Sequence, residues 1–170
     1  MKLVTITGCL GLIGSYVTRA CLEKGWQVYG VDKCTYAANT ENIAAFEKYD
    51  NFTFVREDIT KLKYLPDCDY VINIAAESHV GNSIVDSTDF IQSNIIGVKN
   101  LLDLIRQKQD NVTKRPVFFH FSTDEVYGSA PDNVAYGEWD RHKPTNPYSA
   151  SKSAAENICI AYENTYKVPM

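Results

Sequence analysis

The sequence predicts an α/β fold, a doubly wound parallel sheet with helices on both of its faces. Short apolar runs rich in β-branched residues alternate with helical patterns, which is typical of parallel strands joined by helices. A glycine-rich turn follows the first run, and the fifth run is nearly all apolar, as expected for a parallel strand buried on both faces. The predicted strands are Leu3 to Thr7, Gln27 to Val31, Phe52 to Val55, Tyr70 to Ile74 and Pro116 to Phe121.

Three helices are predicted, at Ser15 to about Lys24, at about Ser87 to Lys108 and at residues 147–166. Apolar side chains of the second helix recur at helical spacing, so we expect them to lie in the core. They are Phe90, Ile91, Ile95, Val98, Leu101, Leu102 and Ile105. The stretch from Ser129 to Pro147 is rich in Gly, Pro, Asn and Asp. It is predicted to be a loop over the functional edge of the sheet, because long loops in compact domains are usually functional.

The turn after the first strand contains glycines in a G-x-x-G-x-x-G spacing. Glycines allow a tight turn and let backbone N–H groups approach a pyrophosphate at a helix N-terminus, where the helix dipole favours negative charge. The second strand leads into Asp32, whose carboxylate can accept hydrogen bonds from adenosine ribose hydroxyls and would repel a 2′-phosphate. The pattern therefore predicts a Rossmann-type site that takes NAD in preference to NADP, although Lys33 argues weakly for NADP. The predicted contacts in the turn are Gly8, Gly11, Leu12, Ile13 and Gly14.

Tyr148 and Lys152 lie four residues apart on the third predicted helix, so their side chains share one face. A nearby ammonium favours phenolate and lowers the tyrosine pKa from its ordinary value of about 10, which suits a base that removes a proton from an alcohol. The same spacing is common among surface neighbours. It indicates a catalytic pair here because the chain also carries the dinucleotide turn.

Thr123, Asp124 and Glu125 follow the fifth strand directly. Ligands of doubly wound sheets bind at the carboxyl ends of the strands, so these side chains fall on the functional edge. Two carboxylates beside a Tyr/Lys pair provide more proton transfer than a simple redox reaction needs. The alternative is that they are solvated loop acids. Glu77, at the same edge, is either an active-site neighbour or a structural acid, and we assign it no catalytic role.

Taken together, these motifs resemble the extended short-chain dehydrogenase/reductase family and, within it, the nucleotide-sugar 4,6-dehydratases. The resemblance covers essentially the whole chain. The Asp-Glu pair is its most specific part, since related 4-epimerases and decarboxylases keep the Tyr/Lys pair but usually lack the two acids. The matching segments are Thr7-Gly8 through Gly14-Ser15, Val31 through Ala37, Ala75 through Val80, Ser122 through Gly128 and Pro147 through Lys152.

This resemblance implies a lyase that removes water from a nucleotide hexose, with dTDP-glucose as the first candidate substrate, through transient reduction of NAD. Tyr148 would take the proton of the sugar 4-hydroxyl, Lys152 would lower the phenol pKa, and Thr123 would hydrogen-bond the 4-oxygen. Glu125 would then remove the proton at carbon 5, and Asp124 would protonate the departing 6-hydroxyl. Adjacent carboxylates with different protonation needs can be separated by their environments.

The family also implies further cofactor contacts beyond the glycine turn. Their expected positions are Asp32, Lys33, Asp58, Ile59, Ala75, Ala76, Ser122, Tyr148 and Lys152. Asp58 and Ile59 would flank the adenine, and Lys152 would hold the nicotinamide ribose. The family forms dimers through helices equivalent to the segments near 87–108 and 147–166, so a homodimer is expected.

Length is the main departure from the family, whose members continue into a smaller C-terminal domain that holds the nucleotide of the substrate. We therefore expect residues 1–170 to be an NAD-binding Rossmann domain truncated before the substrate domain. Two alternatives stay open. One is a 4-epimerase or nucleotide-sugar decarboxylase of the same fold, and the other is a non-catalytic NAD-binding fragment or scaffold.

Composition excludes several other classes of protein. A net charge of −4 offers no basic patch for nucleic acid. No apolar run approaches the ~20 residues that span a bilayer, and no signal peptide is recognised, so a cytoplasmic protein is expected. Five cysteines without a C-x-x-C pair indicate free thiols, and Cys9 is expected to crowd the pyrophosphate. The three histidines share no metal-ligand spacing, so no metal is expected, and His120 is predicted to be a hydrogen-bonded core residue.

Overall fold

A five-stranded parallel sheet forms the centre of the protein, in the order β3-β2-β1-β4-β5. The computed structural model describes residues 1–108 and 115–170. Every pair of neighbouring strands runs parallel, so the predicted Rossmann-type α/β fold is confirmed. The strands are β1 (Leu3–Thr7), β2 (Gln27–Asp32), β3 (Phe52–Arg56), β4 (Tyr70–Asn73) and β5 (Val117–His120).

Helices and short helical turns connect and follow these strands. The α-helices are α1 (Leu12–Glu23), α2 (Glu41–Phe46), α3 (Val80–Val85), α4 (Thr88–Phe90), α5 (Gly97–Gln107) and α6 (Pro147–Tyr166). A π-helical segment, Ile91–Ile96, joins α4 to α5, and a 3₁₀ turn, Asp124–Tyr127, follows β5. Within the described residues, no helix has both the length and the apolar character needed to cross a membrane.

Two hydrophobic clusters lie on the two faces of the sheet. Tyr70 and Ile72 of β4 pack into the cluster that includes residues of α1 and α2. Val71, between them in sequence, packs into the cluster formed with α5 and α6. Successive side chains of a strand point to opposite faces, so this division shows that the sheet is covered on both sides. Burial on both faces explains why the strand sequences read as nearly continuous apolar runs.

Strand β5 differs from its prediction. Phe118 is buried, but Phe119 is 57% exposed, so the expectation of burial on both faces was wrong for this strand. The reason is its position at the edge of the sheet, next to β4. On the outer side of β5, the Phe118 N–H donates to the carbonyl oxygen of Pro169 at 2.8 Å. The segment that follows α6 therefore lies beside β5.

The predicted helix over residues 87–108 is divided by the π-helical segment. Ser93 and Asn94 are buried, whereas Ile91 is 45% exposed and Ile95 is only partly buried. The inward positions of this segment are therefore held by polar side chains. The prediction that both isoleucines belong to the core was therefore wrong. The other five residues predicted for the core, Phe90, Val98, Leu101, Leu102 and Ile105, are buried as expected.

The glycine at position 14 is required by the close packing of α1 on the preceding turn. A Cβ atom at Gly14 would overlap the carbonyl oxygen of Gly8, which is backbone and cannot turn aside. We expect Gly14→Ala to lower the free energy of unfolding by about 1–3 kcal/mol, as overpacking does. Urea unfolding of Gly137→Ala is the control, since a Cβ there would lie 3.8 Å from its nearest neighbour. Equal stability of the two variants would contradict this packing account.

Candidate active site

The glycine turn brings backbone atoms of three elements together at the carboxyl end of the sheet. Gly8 has φ of +70°, and a Cβ atom there would lie 2.7 Å from the amide nitrogen of Ala75, beyond β4. Gly11 is the N-cap residue of α1. A Cβ atom added at Gly11 would lie 3.5 Å from its nearest neighbour, so the N-terminus of the helix is open to the cavity described next. This is the geometry that an anionic group at a helix N-terminus needs.

A cavity of about 370 Å³ lies along this edge. All fourteen residues predicted as cofactor contacts line it. They are Gly8, Gly11, Leu12, Ile13, Gly14, Asp32, Lys33, Asp58, Ile59, Ala75, Ala76, Ser122, Tyr148 and Lys152. The sequence motifs, far apart in the chain, therefore meet in a single cavity. Cys9 does not line it. The Cys9 side chain is fully buried in the cluster beneath α1, so the expectation that it crowds the cavity was wrong.

Asp32 is held rigidly at the end of β2. Its Oδ2 accepts a hydrogen bond from the Leu10 N–H at 3.0 Å, and its Oδ1 accepts from the Cys34 N–H at 2.8 Å. The residue is only 8% exposed. Since each carboxylate oxygen has two lone pairs, the group is fixed in orientation and can still accept from a ligand in the cavity.

Lys33 lies among acids beside the cavity. Its ammonium is 3.2 Å from a carboxylate oxygen of Glu77 and 4.0 Å from one of Asp58, and it donates to the Ser93 hydroxyl at 2.9 Å. These partners offset the positive charge that argued for a 2′-phosphate. Glu77 is thus a buried structural acid that also borders the cavity.

Asn94 is a site residue that the sequence reasoning missed. It is buried within the π-helical segment, and its Oδ1 accepts from the backbone N–H of Glu77 at 2.8 Å. Its Nδ2 donates to the Glu77 carbonyl oxygen at 2.9 Å and to the Ser151 hydroxyl at 2.8 Å. The signal in the sequence was its spacing, because Asn94 lies four residues after Phe90 and four before Val98, on the same helical face as these two buried side chains.

Helix α6 has the predicted bounds and presents Tyr148 and Lys152 to the cavity. Lys152 is 5% exposed and donates a hydrogen bond to the carbonyl oxygen of Phe121 at 2.5 Å. Burial lowers the pKa of Lys152 to about 8, opposed by the negative charge of Glu156 one turn further along. The ammonium therefore begins to lose its proton just above neutral pH, well below the range in which lysine ordinarily does so.

The phenol of Tyr148 has the opposite shift from the one predicted. Burial raises its pKa above the ordinary value, and the negative charges of Glu125 and Asp124 raise it further. A hydrogen bond with Thr123 acts in the other direction. The expected lowering by Lys152 was wrong for this state, because burial dominates and the ammonium is engaged by the Phe121 carbonyl.

The 3₁₀ turn Asp124–Tyr127 orients the two acids. The Thr123 hydroxyl caps the turn by accepting from the Glu125 N–H at 3.3 Å. Asp124 is exposed, and with Thr123 it borders a second, more open cavity that shares Ser122 with the first. Glu125 is half-buried, and its Oε2 accepts from the side-chain amide of Asn146 at 2.9 Å.

His120 lies beneath the second cavity. Its Nδ1 is 3.1 Å from Nδ2 of Asn73, whose Oδ1 accepts from the Thr7 hydroxyl at 2.6 Å. Burial and, to a smaller extent, the charge of Lys152 lower the pKa of His120 to about 3, so the ring is neutral at physiological pH. The hydrogen bond agrees with the prediction, but His120 is only partly buried at the wall of the second cavity and is not a core residue. In the described part of the chain, no group of three or more His, Cys, Asp or Glu residues is arranged to hold a metal ion.

Comparison with known proteins identifies the family. Residues 5–170 match the family described as GDP-mannose 4,6 dehydratase. The chain belongs to this family. It is 38% identical to a probable dTDP-glucose 4,6-dehydratase of Sinorhizobium fredii, over 98% of this chain and 51% of the relative. The chain spans about half the length of the curated relatives it matches.

Two solved structures of related enzymes are similar to this fold. DesIV, a dTDP-glucose 4,6-dehydratase from Streptomyces venezuelae solved with NAD and TYD bound, has a TM-score of 0.89 and 32% identity. The match covers 98% of this chain and 53% of DesIV. A UDP-glucuronic acid 4-epimerase from Bacillus cereus, solved with UDP-glucuronic acid and NAD, has a TM-score of 0.87 and 29% identity. That match covers 98% of this chain and 54% of the epimerase.

The buried ammonium of Lys152 predicts a pH dependence of stability. Its folded pKa of about 8 lies below the ordinary 10.5, so between these values the unfolded chain binds more protons and folding is favoured as pH rises. Relative to Lys152→Met, we expect the ligand-free protein to gain about 2–3 kcal/mol of unfolding free energy between pH 7 and pH 10. Urea unfolding of both proteins across this range measures the difference. If the unfolding free energies of the two proteins change equally with pH, the lowered pKa of Lys152 is contradicted.

Proposed function

We propose that this chain carries the oxidising and dehydrating groups of an NAD-dependent nucleotide-sugar 4,6-dehydratase. The observation that carries the proposal is the hydrogen bond from the Asn146 side chain to Glu125, because Asn146 lies two residues before Tyr148. It brings the acidic pair Asp124/Glu125 next to the Tyr148/Lys152 pair, which lines the first cavity. A simple dehydrogenase needs only the Tyr/Lys pair. The curated relatives named dTDP-glucose 4,6-dehydratase make dTDP-glucose the first substrate to test.

The residues of the first cavity fit NAD. The open N-terminus of α1 and the turn at Gly8 would hold the pyrophosphate, and the fixed carboxylate of Asp32 would accept from the ribose hydroxyls. Asp58 and Ile59 would flank the adenine. When bound, NAD would supply redox chemistry, taking hydride from carbon 4 of the sugar and returning it to carbon 6.

The first role of the chain's own residues is proton removal at the sugar 4-hydroxyl. Tyr148 would take this proton as phenolate, and Thr123 would hydrogen-bond the 4-oxygen. Burial and the nearby carboxylates oppose phenolate in the ligand-free protein, so this step would need a positive charge close to the phenol. Lys152 would hold the nicotinamide ribose through its ammonium, which lies at the wall of the first cavity.

The second role is elimination of water. A ketone at carbon 4 acidifies the proton at carbon 5, and Glu125 would remove it. Asp124 would donate a proton to the departing 6-hydroxyl, so that the hydroxyl leaves as water. The two acids have different surroundings, since Glu125 is half-buried and hydrogen-bonded whereas Asp124 is exposed. Different environments are what allow adjacent carboxyl groups to take opposite proton-transfer roles.

A 4-epimerase is the second candidate, favoured by the similarity to the Bacillus cereus enzyme. Both reactions begin with oxidation at carbon 4, so the cofactor cavity and the Tyr/Lys pair serve either. The two reactions differ in their need for Asp124 and Glu125, because a 4-epimerase eliminates no water and does not need these acids. A decarboxylase or a non-catalytic NAD-binding scaffold are further alternatives that product analysis distinguishes.

We also infer that residues 1–170 form an NAD-binding Rossmann domain. A homodimer is proposed through the helical stretch 88–107 and through α6. The five cysteines are free thiols, which suits a reducing cytoplasm. Sedimentation of the purified protein tests the oligomeric state.

Product analysis tests the proposed function. The protein is incubated with NAD and dTDP-glucose, and the sugar product is identified by NMR. A 4-keto-6-deoxy sugar, formed by the wild type and absent with Tyr148→Phe, is the expected result. An inverted 4-hydroxyl without loss of water would favour the epimerase, and NAD binding without any product would favour the scaffold.

The carboxylate of Asp32 predicts the choice of cofactor. Asp32→Asn removes the charge that holds the ribose hydroxyls, so we expect NAD to bind about 10–100-fold more weakly. NADP binding should weaken less or improve, since the charge that repels its phosphate is lost. Calorimetric titration with both cofactors gives the affinity ratio, which a general loss of stability would leave unchanged. An unchanged ratio would contradict the role of Asp32.

The role proposed for Glu125 as the base at carbon 5 predicts that removing its charge slows elimination but not oxidation. Glu125→Gln keeps the shape of the side chain but cannot accept the carbon 5 proton. Oxidation at carbon 4 should continue while elimination slows by about 10²–10⁴-fold. Reduced nicotinamide should then accumulate, as followed by its near-ultraviolet absorbance. Unchanged loss of water would overturn the role assigned to Glu125.

A further inference from the structure

Asn146 connects the candidate base to the helix that carries Tyr148. Its backbone N–H and side-chain oxygen form a capping box with Ser149 at the start of α6, with Oδ1 accepting from the Ser149 N–H at 2.8 Å. Its Nδ2 donates to Oε2 of Glu125 at 2.9 Å. Both polar atoms of this one side chain are therefore engaged, one by the helix and the other by the carboxylate.

A second contact holds the same two segments together. The Lys143 N–H donates to the carbonyl oxygen of Val126 at 2.9 Å, next to Glu125 in the 3₁₀ turn. Gly128 ends this turn with φ of +76°, and a Cβ there would collide with the Lys143 carbonyl oxygen. The backbone before α6 thus packs closely on the turn. Asn146 adds the contact that reaches the reactive carboxylate itself.

We propose that Asn146 is a positioning residue that orients the Glu125 carboxylate relative to Tyr148. The inference rests on the proposed dehydratase function and adds a residue to it. Within residues 1–108 and 115–170, the Asn146 amide is the only hydrogen-bond donor to this carboxylate, and it engages Oε2 alone. The other oxygen, Oε1, accepts no hydrogen bond from these residues and would be the atom that takes the substrate proton. Because Asn146 caps α6, Glu125 and Tyr148 keep a fixed separation through two consecutive reaction steps.

The chemistry of the carboxamide explains why asparagine suits this position. An N-cap needs a side-chain acceptor, which Ser, Thr, Asp and Asn all provide. A carboxylate partner needs a donor at the same time. Asparagine has both in one short planar group. Aspartate caps equally well but faces Glu125 with a second acceptor and a like charge, and serine caps with a shorter side chain that loses the amide donor. The variants Asn146→Ser and Asn146→Asp therefore separate capping from positioning.

The contact itself is tested without turnover. The side-chain amide protons of Asn146 are assigned in ¹⁵N-labelled protein by their loss in Asn146→Ser, and their exchange with water is measured. We expect exchange about tenfold slower in the wild type than in Glu125→Ala, because a hydrogen bond to a charged acceptor must break first. Equal exchange rates would overturn the contact and with it the proposal.

The positioning role is tested in the reaction with NAD and dTDP-glucose. Asn146→Ser should melt at the wild-type temperature, since the cap is kept, but lose water about tenfold more slowly and accumulate reduced nicotinamide. Asn146→Asp should show a larger accumulation. The affinity for NAD should stay the same in both. If Asn146 were only structural, its variants would change the melting temperature without accumulating reduced nicotinamide, and this result would overturn the positioning role. The role would also be overturned if the variants accumulated no more reduced nicotinamide than the wild type.

These outcomes are distinguishable from failure of the proposed function. If the wild type forms no 4-keto product, the dehydratase proposal fails on that observation, and the exchange measurement still decides whether Asn146 holds Glu125. If the wild type forms product and both variants match it, the function stands and the role of Asn146 is overturned.

Discussion

The buried ammonium of Lys152 is the interaction on which the rest of the site depends. Its hydrogen bond to the Phe121 carbonyl fastens α6 to the end of β5 at 2.5 Å. Because α6 carries Tyr148 and β5 leads directly into the acidic turn, this bond sets the distance between the phenol and the two carboxylates. Burying a charge is costly unless it is paired, and here burial lowers the lysine pKa to about 8 instead of expelling the side chain.

Polar side chains of neighbouring elements then hold the two cavities in place. Asn94 binds the loop after β4 to α6, and Asn146 binds the acidic turn to the same helix. Glu156, further along α6, accepts from the Ser122 hydroxyl and lies 3.5 Å from His142 in the preceding loop. Helix α6 is therefore the common support of both sites. This arrangement explains how residues that start far apart in the chain keep a fixed geometry at the sheet edge.

The sequence was sufficient for the sheet, the glycine turn and the bounds of α6, because alternating apolar runs, close backbone packing and a capped helix are local signals. It was insufficient where tertiary packing decided the result. In the π-helical segment, polar Ser93 and Asn94 are buried and Ile91 is exposed, which the apolar pattern on which the prediction relied did not reveal. The edge position of β5 exposed Phe119. The pKa of Tyr148 depends on burial and on carboxylates that only the folded chain brings near it, so the predicted direction was wrong.

Isotope transfer is the measurement that tests the central claim most directly. The protein is given NAD and dTDP-glucose that carries deuterium at carbon 4, in ordinary water, and the product is examined by NMR. If the Tyr148/Lys152 pair and then the Asp124/Glu125 pair act on one sugar, the product is a 4-keto-6-deoxy sugar with the deuterium at carbon 6. Deuterium retained at carbon 4 of an epimerised sugar would contradict the account, since it would show oxidation and reduction at one carbon without elimination.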